Sequence, residues 1–307
     1  MRIVITGGTG FLGQRLTARL AHVMPQASVT ALSRATDLRD AQQAQQVFVD
    51  LHPDLVFHLA AVVGGIAANA RSPGTFFRDN MQIGLNVLEA ARQCEVRKLV
   101  VAGTVCAYPK HVTVPFSEND LWNGYPEETN APYGVAKRAL AVMAKAYRRE
   151  FGCNFVTTLI ANLYGAGDNF DLERSHVIPG MIRRFVEAKE HDEPVKLWGD
   201  GSPSREFLYV EDAADGLIAV ADKYDDPDPI NIGTGIETRI SDLAIQIAEI
   251  VGYRGEIVWD ILRPNGQPRR SLDVSRAKNL LGFVAETPLG VGLEATVEWY
   301  LENRETR

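Results

Sequence analysis

Strand-type and helix-type patterns of apolar residues take turns along the first half of the chain. RIVIT is a short apolar run, FLGQRLTARLAHV repeats apolar residues at helical spacing, and SVTAL returns to the strand pattern. DLVFHLA and RKLVVA continue the strands, with the long helix pattern GTFFRDNMQIGLNVLEAARQC between them. APYGVAKRALAVMAKAYRREF, with Pro132 near its first turn, predicts a further helix ahead of the strand NFVTTLI. This alternation predicts an α/β fold in which a parallel sheet carries helices on both faces. After about Ile160 the chain changes character: loops rich in Gly, Asn, Asp and Pro (NLYGAGDNFDLERS, WGDGSPS, YDDPDP, LRPNGQP) separate shorter elements. The expected organisation is a first lobe over residues 1–160, joined by a segment near 206–232, and a smaller, mainly C-terminal lobe over 161–307.

Composition narrows the function classes. A chain of 307 residues has ample length for a core. A net charge of −7 with no Lys/Arg block argues against a nucleic-acid partner, which demands a basic face. Apolar runs such as DLVFHLAAVVGGIAA break well short of the roughly 18 to 20 clean residues of a membrane span, so no membrane partner is expected. MRIVITGG runs straight into a strand without the pattern of a secretory signal. Three cysteines, Cys94, Cys106 and Cys153, with no CxxC, fit a reducing compartment and no metal or disulfide framework. The expected location is the cytoplasm. Cys94 and Cys153 read as small buried hydrophobes.

The first strand ends in VITGGTGFLGQR, which places Gly7, Gly10 and Gly13 between a strand and a helix. Glycines there allow a tight turn and close backbone approach, and the helix N-terminus receives a pyrophosphate, so a Rossmann-type, doubly wound sheet with a dinucleotide site is expected. The second strand ends in VTALSRATDLRD, with Arg34 where an acid would select the ribose 2′-hydroxyl of NAD. An arginine there pairs with a 2′-phosphate, which favours NADP(H); the plainer reading of Arg34 is an exposed loop arginine. Asp37 is expected against the adenine amino group. HLAA supplies small residues (Leu59, Ala60, Ala61) where a strand end must let the cofactor pass.

Tyr133 and Lys137 stand four apart, on one face of the predicted helix. A neighbouring ammonium lowers a tyrosine pKa, so the spacing builds an acid/base pair. A YxxxK pair alone is common by chance. With the glycine loop upstream and the hydroxyl of Thr104 ending the intervening strand, the set resembles the extended short-chain dehydrogenase/reductase superfamily. VVGGIAAN, VCAYPK, NAPYGVAK, NLYGAGDNF, SHVIPGMIRRF, LWGDGSPSREFLYVED and INIGTG narrow the likeness to the GDP-L-fucose synthase family, NADPH-dependent 3,5-epimerase-4-reductases of a GDP-linked 4-keto-6-deoxy sugar.

That resemblance implies roles residue by residue. Tyr133 donates a proton to the sugar C4 oxygen, Lys137 holds the cofactor ribose and lowers the tyrosine pKa, and Thr104 bonds the same oxygen. Cys106 and His176 serve as base and acid at C3 and C5, residue types whose ordinary pKa values suit proton exchange at neutral pH. Phe11, Leu12, Leu38, Asn162, Leu163 and His176 join the cofactor contacts. Asn162, Arg184, Trp198 and Arg205 contact the nucleotide sugar. A homodimer through the two long helices is implied as well. Read alone, Cys106 is core filler at a strand end. The chain departs from the family's pattern at Thr104 and Val105, where serines are usual.

Rival readings differ at named positions. A 4,6-dehydratase would carry Asp and Glu after the threonine, where this chain has Val105 and Cys106. A C4-epimerase has no use for a Cys/His proton-exchange pair. A reductase-only or epimerase-only relative acting on another GDP-linked keto sugar or heptose shares the whole pattern. A non-catalytic NADP(H)-binding module would be expected to lack Tyr133 or Lys137.

Overall fold

The protein is described here from a computed structural model covering residues 1–263 and 265–304. In chain order the first half forms β1 (Arg2–Thr6), α1 (Phe11–Val23), β2 (Ser28–Ala31), α2 (Ala41–Leu51), β3 (Leu55–His58), α3 (Ile66–Arg71), α4 (Pro73–Gln93), β4 (Lys98–Thr104), α5 (Ala131–Phe151) and β5 (Phe155–Ile160). The remainder forms β6 (Asn162–Tyr164), α6 (Val177–His191), β7 (Val195–Trp198), β8 (Ser204–Tyr209), α7 (Val210–Lys223), β9 (Ile230–Ile232), β10 (Glu237–Arg239), α8 (Ile240–Val251), β11 (Ile257–Asp260), α9 (Ser275–Leu281) and α10 (Leu289–Asn303).

Six strands build the central sheet in the order β2-β1-β3-β4-β5-β9, and every neighbouring pair is parallel. All four residues of β3 and all six of β5 are buried, which is why these segments read as continuous apolar runs rather than alternating ones. Successive side chains leave a strand on opposite faces. Ile3 and Ile5 accordingly enter one core with Leu55 and Phe57, while Val4 enters the other with Val56. Removing a fully buried ring such as Phe57 would cost about 3–5 kcal/mol.

The helix α2 is not among the sequence-predicted elements. Its glutamine-rich AQQAQQVFVDL does carry a helical stripe, Ala44, Val47, Phe48 and Leu51, which packs on the core and which the reading above passed over. Asp40 starts it by accepting the Gln42 and Gln43 N–H groups.

A third core joins α6, α8 and α10 to β7 and β8, with Phe185, Ile247 and Leu293 at its centre. Here β6, β8 and β10 form a three-stranded sheet and β7 pairs with β11. Between these strands the chain returns to the large sheet, because α7 packs on α1 and β9 adds the last strand beside β5.

The strand order reverses at β1, with β2 on one side and β3 on the other. In open parallel sheets the crevice at such a switch point, beyond the carboxyl ends of the strands, takes the ligand. The loops after β1 and β3 meet there.

Candidate active site

At the switch point the glycine loop lies directly on the end of β3. The Thr6 hydroxyl contacts His58 Nδ1 at 2.8 Å and accepts the Ala60 N–H at 3.2 Å, tying the two strand ends together. A Cβ on Gly13 would stand 2.3 Å from the Gly7 carbonyl oxygen, so only glycine lets α1 start this close to the loop. No side chain caps α1. The N–H groups of its first turn, at Phe11, Leu12 and Gly13, therefore have no intrahelical partner and face the crevice as a phosphate cradle.

Around this cradle Leu59, Ala60 and Ala61 are partly accessible, as are Phe11 and Leu12. Arg34 is exposed and pairs with no carboxylate among the described residues. Arg39 grips the Asp37 carboxylate from two nitrogens, at 2.9 and 2.8 Å, and holds its pKa down at about 2. The Leu38 side chain is buried in the core and its carbonyl accepts the Asn86 amide, leaving only backbone to face a cofactor.

The acid/base residues gather at the carboxyl end of β4. Thr104 caps a 3-10 turn over Val105–Ala107, its hydroxyl oxygen accepting the Cys106 N–H at 3.2 Å, which leaves the hydroxyl proton free to donate into the cleft. Val105 turns into the core, so that departure from the family pattern lies away from the cleft. On α5, a Cβ at Gly134 would meet the Cys106 carbonyl oxygen at 2.5 Å. This glycine, next to Tyr133, lets the helix press against the Cys106 turn.

Lys137 is buried, donates to the Ala102 carbonyl at 2.9 Å and lies 5.9 Å from the centre of the Tyr133 ring. Burial pushes its pKa down to about 8. Tyr133 is pushed well up, by burial first and then by the charge of Cys106. Desolvation of the phenolate sets the direction here, while the Lys137 ammonium is held against a backbone carbonyl.

His176 is the N-cap residue of α6. It is open to solvent at residue level, yet the surrounding protein lowers the imidazole pKa by desolvation. No hydrogen bond joins His176 to Cys106 among the described residues. Asn162 commits its amide nitrogen to the Glu206 carbonyl at 2.8 Å, stapling β6 to β8, and Leu163 packs on the main core.

The four substrate candidates fall in different places. Arg184 and Trp198 line a cavity of about 520 Å³ with Lys196, Val258, Trp259 and Asp260, where the Arg263 guanidinium lies 5.1 Å over the Trp198 ring. Arg205 stands apart from it, beside Arg270 and Cys106, and its pKa falls to about 9 through burial and the Arg270 charge.

Sequence reasoning missed several residues that shape the site. Glu206, fully buried, accepts from Thr234 N at 2.6 Å, Gly235 N at 3.0 Å, Leu272 N at 2.6 Å and the Ser271 hydroxyl at 3.2 Å. Asn231 takes the Tyr108 hydroxyl at 2.7 Å and donates to the Phe116 and Asp273 carbonyls, holding the segment after Cys106 in place. Arg270 reaches the Cys106 sulfur at 3.2 Å. Nothing in PRRSLD marks Arg270 as buried while its neighbour Arg269 is exposed and paired with Glu237. Cys94 and Cys153 are half-buried free thiols against the core under α4 and α5, and burial raises both.

A nucleotide cradle at the switch point and a tyrosine–lysine pair beside it define a nucleotide-sugar-modifying dehydrogenase class, and the chain belongs to the NAD dependent epimerase/dehydratase family, whose profile matches residues 3–233. Within that family it falls with the GDP-L-fucose synthases. It is 40% identical to "Probable GDP-L-fucose synthase 1" of Oryza sativa subsp. japonica over 98% of this chain and 92% of the relative. It is 38% identical to the GDP-L-fucose synthase of Escherichia coli K12 over 99% and 98%. The solved GDP-L-fucose synthetase of Naegleria fowleri bound to NADP superposes with a TM-score of 0.90 at 29% identity, covering 99% of this chain and 95% of that one.

Proposed function

We propose that the protein is an NADPH-dependent epimerase-reductase that converts GDP-4-keto-6-deoxy-D-mannose to GDP-L-fucose. One observation carries the reading: Cys106 lies close enough to Tyr133 for its charge to raise the tyrosine, so two proton-transfer groups share one site. A reductase needs only the tyrosine. The bare glycine cradle and the free Arg34 cation support NADP(H) there, and the cofactor when bound supplies the hydride that reduces C4.

The chain's own residues do the rest. Cys106, as thiolate, takes the proton from C3 and from C5, the acidic carbons beside the ketone, leaving an enolate whose charge sits on the C4 oxygen. Thr104 and Tyr133 donate hydrogen bonds to that oxygen, and His176 returns protons to the opposite face. In the last step Tyr133 gives its proton to the C4 oxygen. Its raised pKa suits a donor, since the group stays protonated until the oxygen becomes a strong base. Lys137 holds the ribose and Arg205 the diphosphate, while the Arg184–Trp198 cavity takes the base.

We further propose a lobe boundary near residue 160 and a cytoplasmic homodimer. Exposed Phe77 and Leu85 on α4 and Val142 on α5 support self-association through that helix pair. No helix among the described residues is long and apolar enough to cross a membrane.

The test separates the two halves of the reaction in deuterated water. Tyr133→Phe should still exchange deuterium into the sugar while oxidising NADPH about 10²- to 10⁴-fold more slowly. Cys106→Ala should lose the exchange by a similar factor. Undiminished exchange in Cys106→Ala would reduce the protein to a simple reductase.

A further inference from the structure

Three cationic side chains, Lys137, Arg205 and Arg270, lie near the end of β4, and Arg270 has a sulfur but no carboxylate beside it. Arg270 is 5% exposed, and no carboxylate lies within ion-pair distance of it among the described residues. Its Nη1 donates to Cys106 Sγ at 3.2 Å and its Nη2 to Gln267 Oε1 at 3.1 Å, while Nε is buried with no protein partner. Gln267, also buried, donates in turn to the Lys110 carbonyl at 3.4 Å, on the segment that carries Cys106. The backbone on the far side is fixed too, since Glu206 accepts from Ser271 and Leu272 and Phe116 N–H donates to the Ser271 carbonyl. The guanidinium is thus held from both sides and aimed at the sulfur.

A guanidinium stays protonated at any relevant pH, and burying it without an anion is costly. A thiol offers it little; a thiolate neutralises it. We propose that Arg270, braced by Gln267, is a positioning residue that orients the Cys106 sulfur and favours its thiolate form, the form able to take a proton from carbon. This rests on the epimerase reading above and adds to it the group that prepares the base. After the transfer Cys106 is a neutral thiol and the negative charge has moved to the enolate oxygen, so the step balances without any further reactant.

The groups that face Cys106 act in both directions. Arg270 and Arg205, from the C-terminal half, favour the anion, and Arg205 in turn brings Glu127 and Glu237 into its surroundings. From α5, Tyr133 faces it as a neutral phenol, with Lys137 one turn on. A charged sulfur also disfavours a second anion at Tyr133. Tyr133, raised by burial and by the neighbouring sulfur, stays the proton donor beside it.

Alkylation of Cys106 by iodoacetamide, followed by mass spectrometry from pH 5 to 10, reads the thiolate without any sugar. Cys94 and Cys153 serve as internal references. Arg270→Gln should slow Cys106 alkylation about tenfold at pH 7 and move its curve to higher pH, with the limiting alkaline rate kept. Arg270→Lys, which retains a charge, should recover most of the reactivity at pH 7. A Cys106 curve that stays in place in Arg270→Gln, or moves equally in both variants, overturns the proposal. Gln267→Leu keeps the test decisive should Arg270→Gln not fold: about threefold slower alkylation at pH 7 supports the brace, and an unchanged curve refutes it. If instead Cys106→Ala exchanges deuterium like the unaltered protein while the alkylation curves shift, the epimerase reading fails and the Arg270–Cys106 contact stands.

Discussion

Two charged clusters near the ends of β4 and β8 are built in opposite ways. Around Glu206 every lone-pair direction finds a donor: three backbone N–H groups and one hydroxyl, from two separate segments. Burial still pushes its pKa up, but the cluster is closed, and it joins β8 to the loops at 233–235 and 271–272. Around Lys137, Arg205 and Arg270 the balance is reversed. These three cations have carbonyls, an amide oxygen and a sulfur as partners, and no carboxylate at ion-pair distance among the described residues. A structural charge is saturated by the chain, whereas a charge meant for an anionic ligand or a developing anion is left partly open at a cost in stability. That cost suits a site whose substrate and intermediates bring negative charge.

The sharpest break in the comparison comes from Tyr133→Phe. It should remove about 10²- to 10⁴-fold of NADPH oxidation yet leave the melting temperature almost unchanged, because the lost hydroxyl faces the open cations without a protein hydrogen bond among the described residues. A large drop in melting temperature would make the two clusters alike. Next in size, Glu206→Ala strands several backbone donors and should cost about 3–5 kcal/mol in equilibrium denaturation. A loss below about 1 kcal/mol would show that the closed network is not what holds the loops.

A smaller effect of opposite sign is expected at Lys137. Its folded pKa, about 8, lies below the ordinary lysine value of 10.5, so between those pH values the unfolded chain binds more protons and wild-type stability rises with pH. Below about pH 8 the burial penalty is present in full. Lys137→Met should therefore be more stable than wild type at pH 7 by about 1–2 kcal/mol, after the lost bond to Ala102, and the gap should close towards pH 10.5. Parallel stability curves across that window would refute the burial argument. The smallest effect belongs to the exposed Arg34. Arg34→Ala should raise the KM for NADPH about tenfold with kcat kept, since the lost contact is remote from the hydride. Equal KM values for NADPH and NADH in the unaltered protein would remove its basis.

Much of the architecture was legible because it is local. The apolar runs of β1, β3, β4 and β5 are continuous where the sheet is covered on both faces, and the 3.6-residue period of α1, α4 and α5 is visible without any partner. Tyr133 and Lys137 share a helix face by the four-residue spacing alone. The glycine loop announces a strand-to-helix turn because only glycine tolerates such close approach. By contrast α2 has a stripe of Ala44, Val47, Phe48 and Leu51 diluted by glutamines, and that weaker period was passed over.

What the sequence by itself determined, then, is the alternation of strands and helices, the phosphate cradle after β1 and the tyrosine–lysine pair on α5, all products of short-range geometry. Only the tertiary structure decided the environment of those groups. It sent Val105 and Leu38 into the core and put Asp37 in the grip of Arg39. It raised Tyr133 through burial despite the lysine one turn away. It also set Arg270 against Cys106, 164 residues earlier in the chain. Burial and charge proximity depend on how distant segments pack, and a pKa follows the solvent that packing excludes, a quantity no local spacing contains.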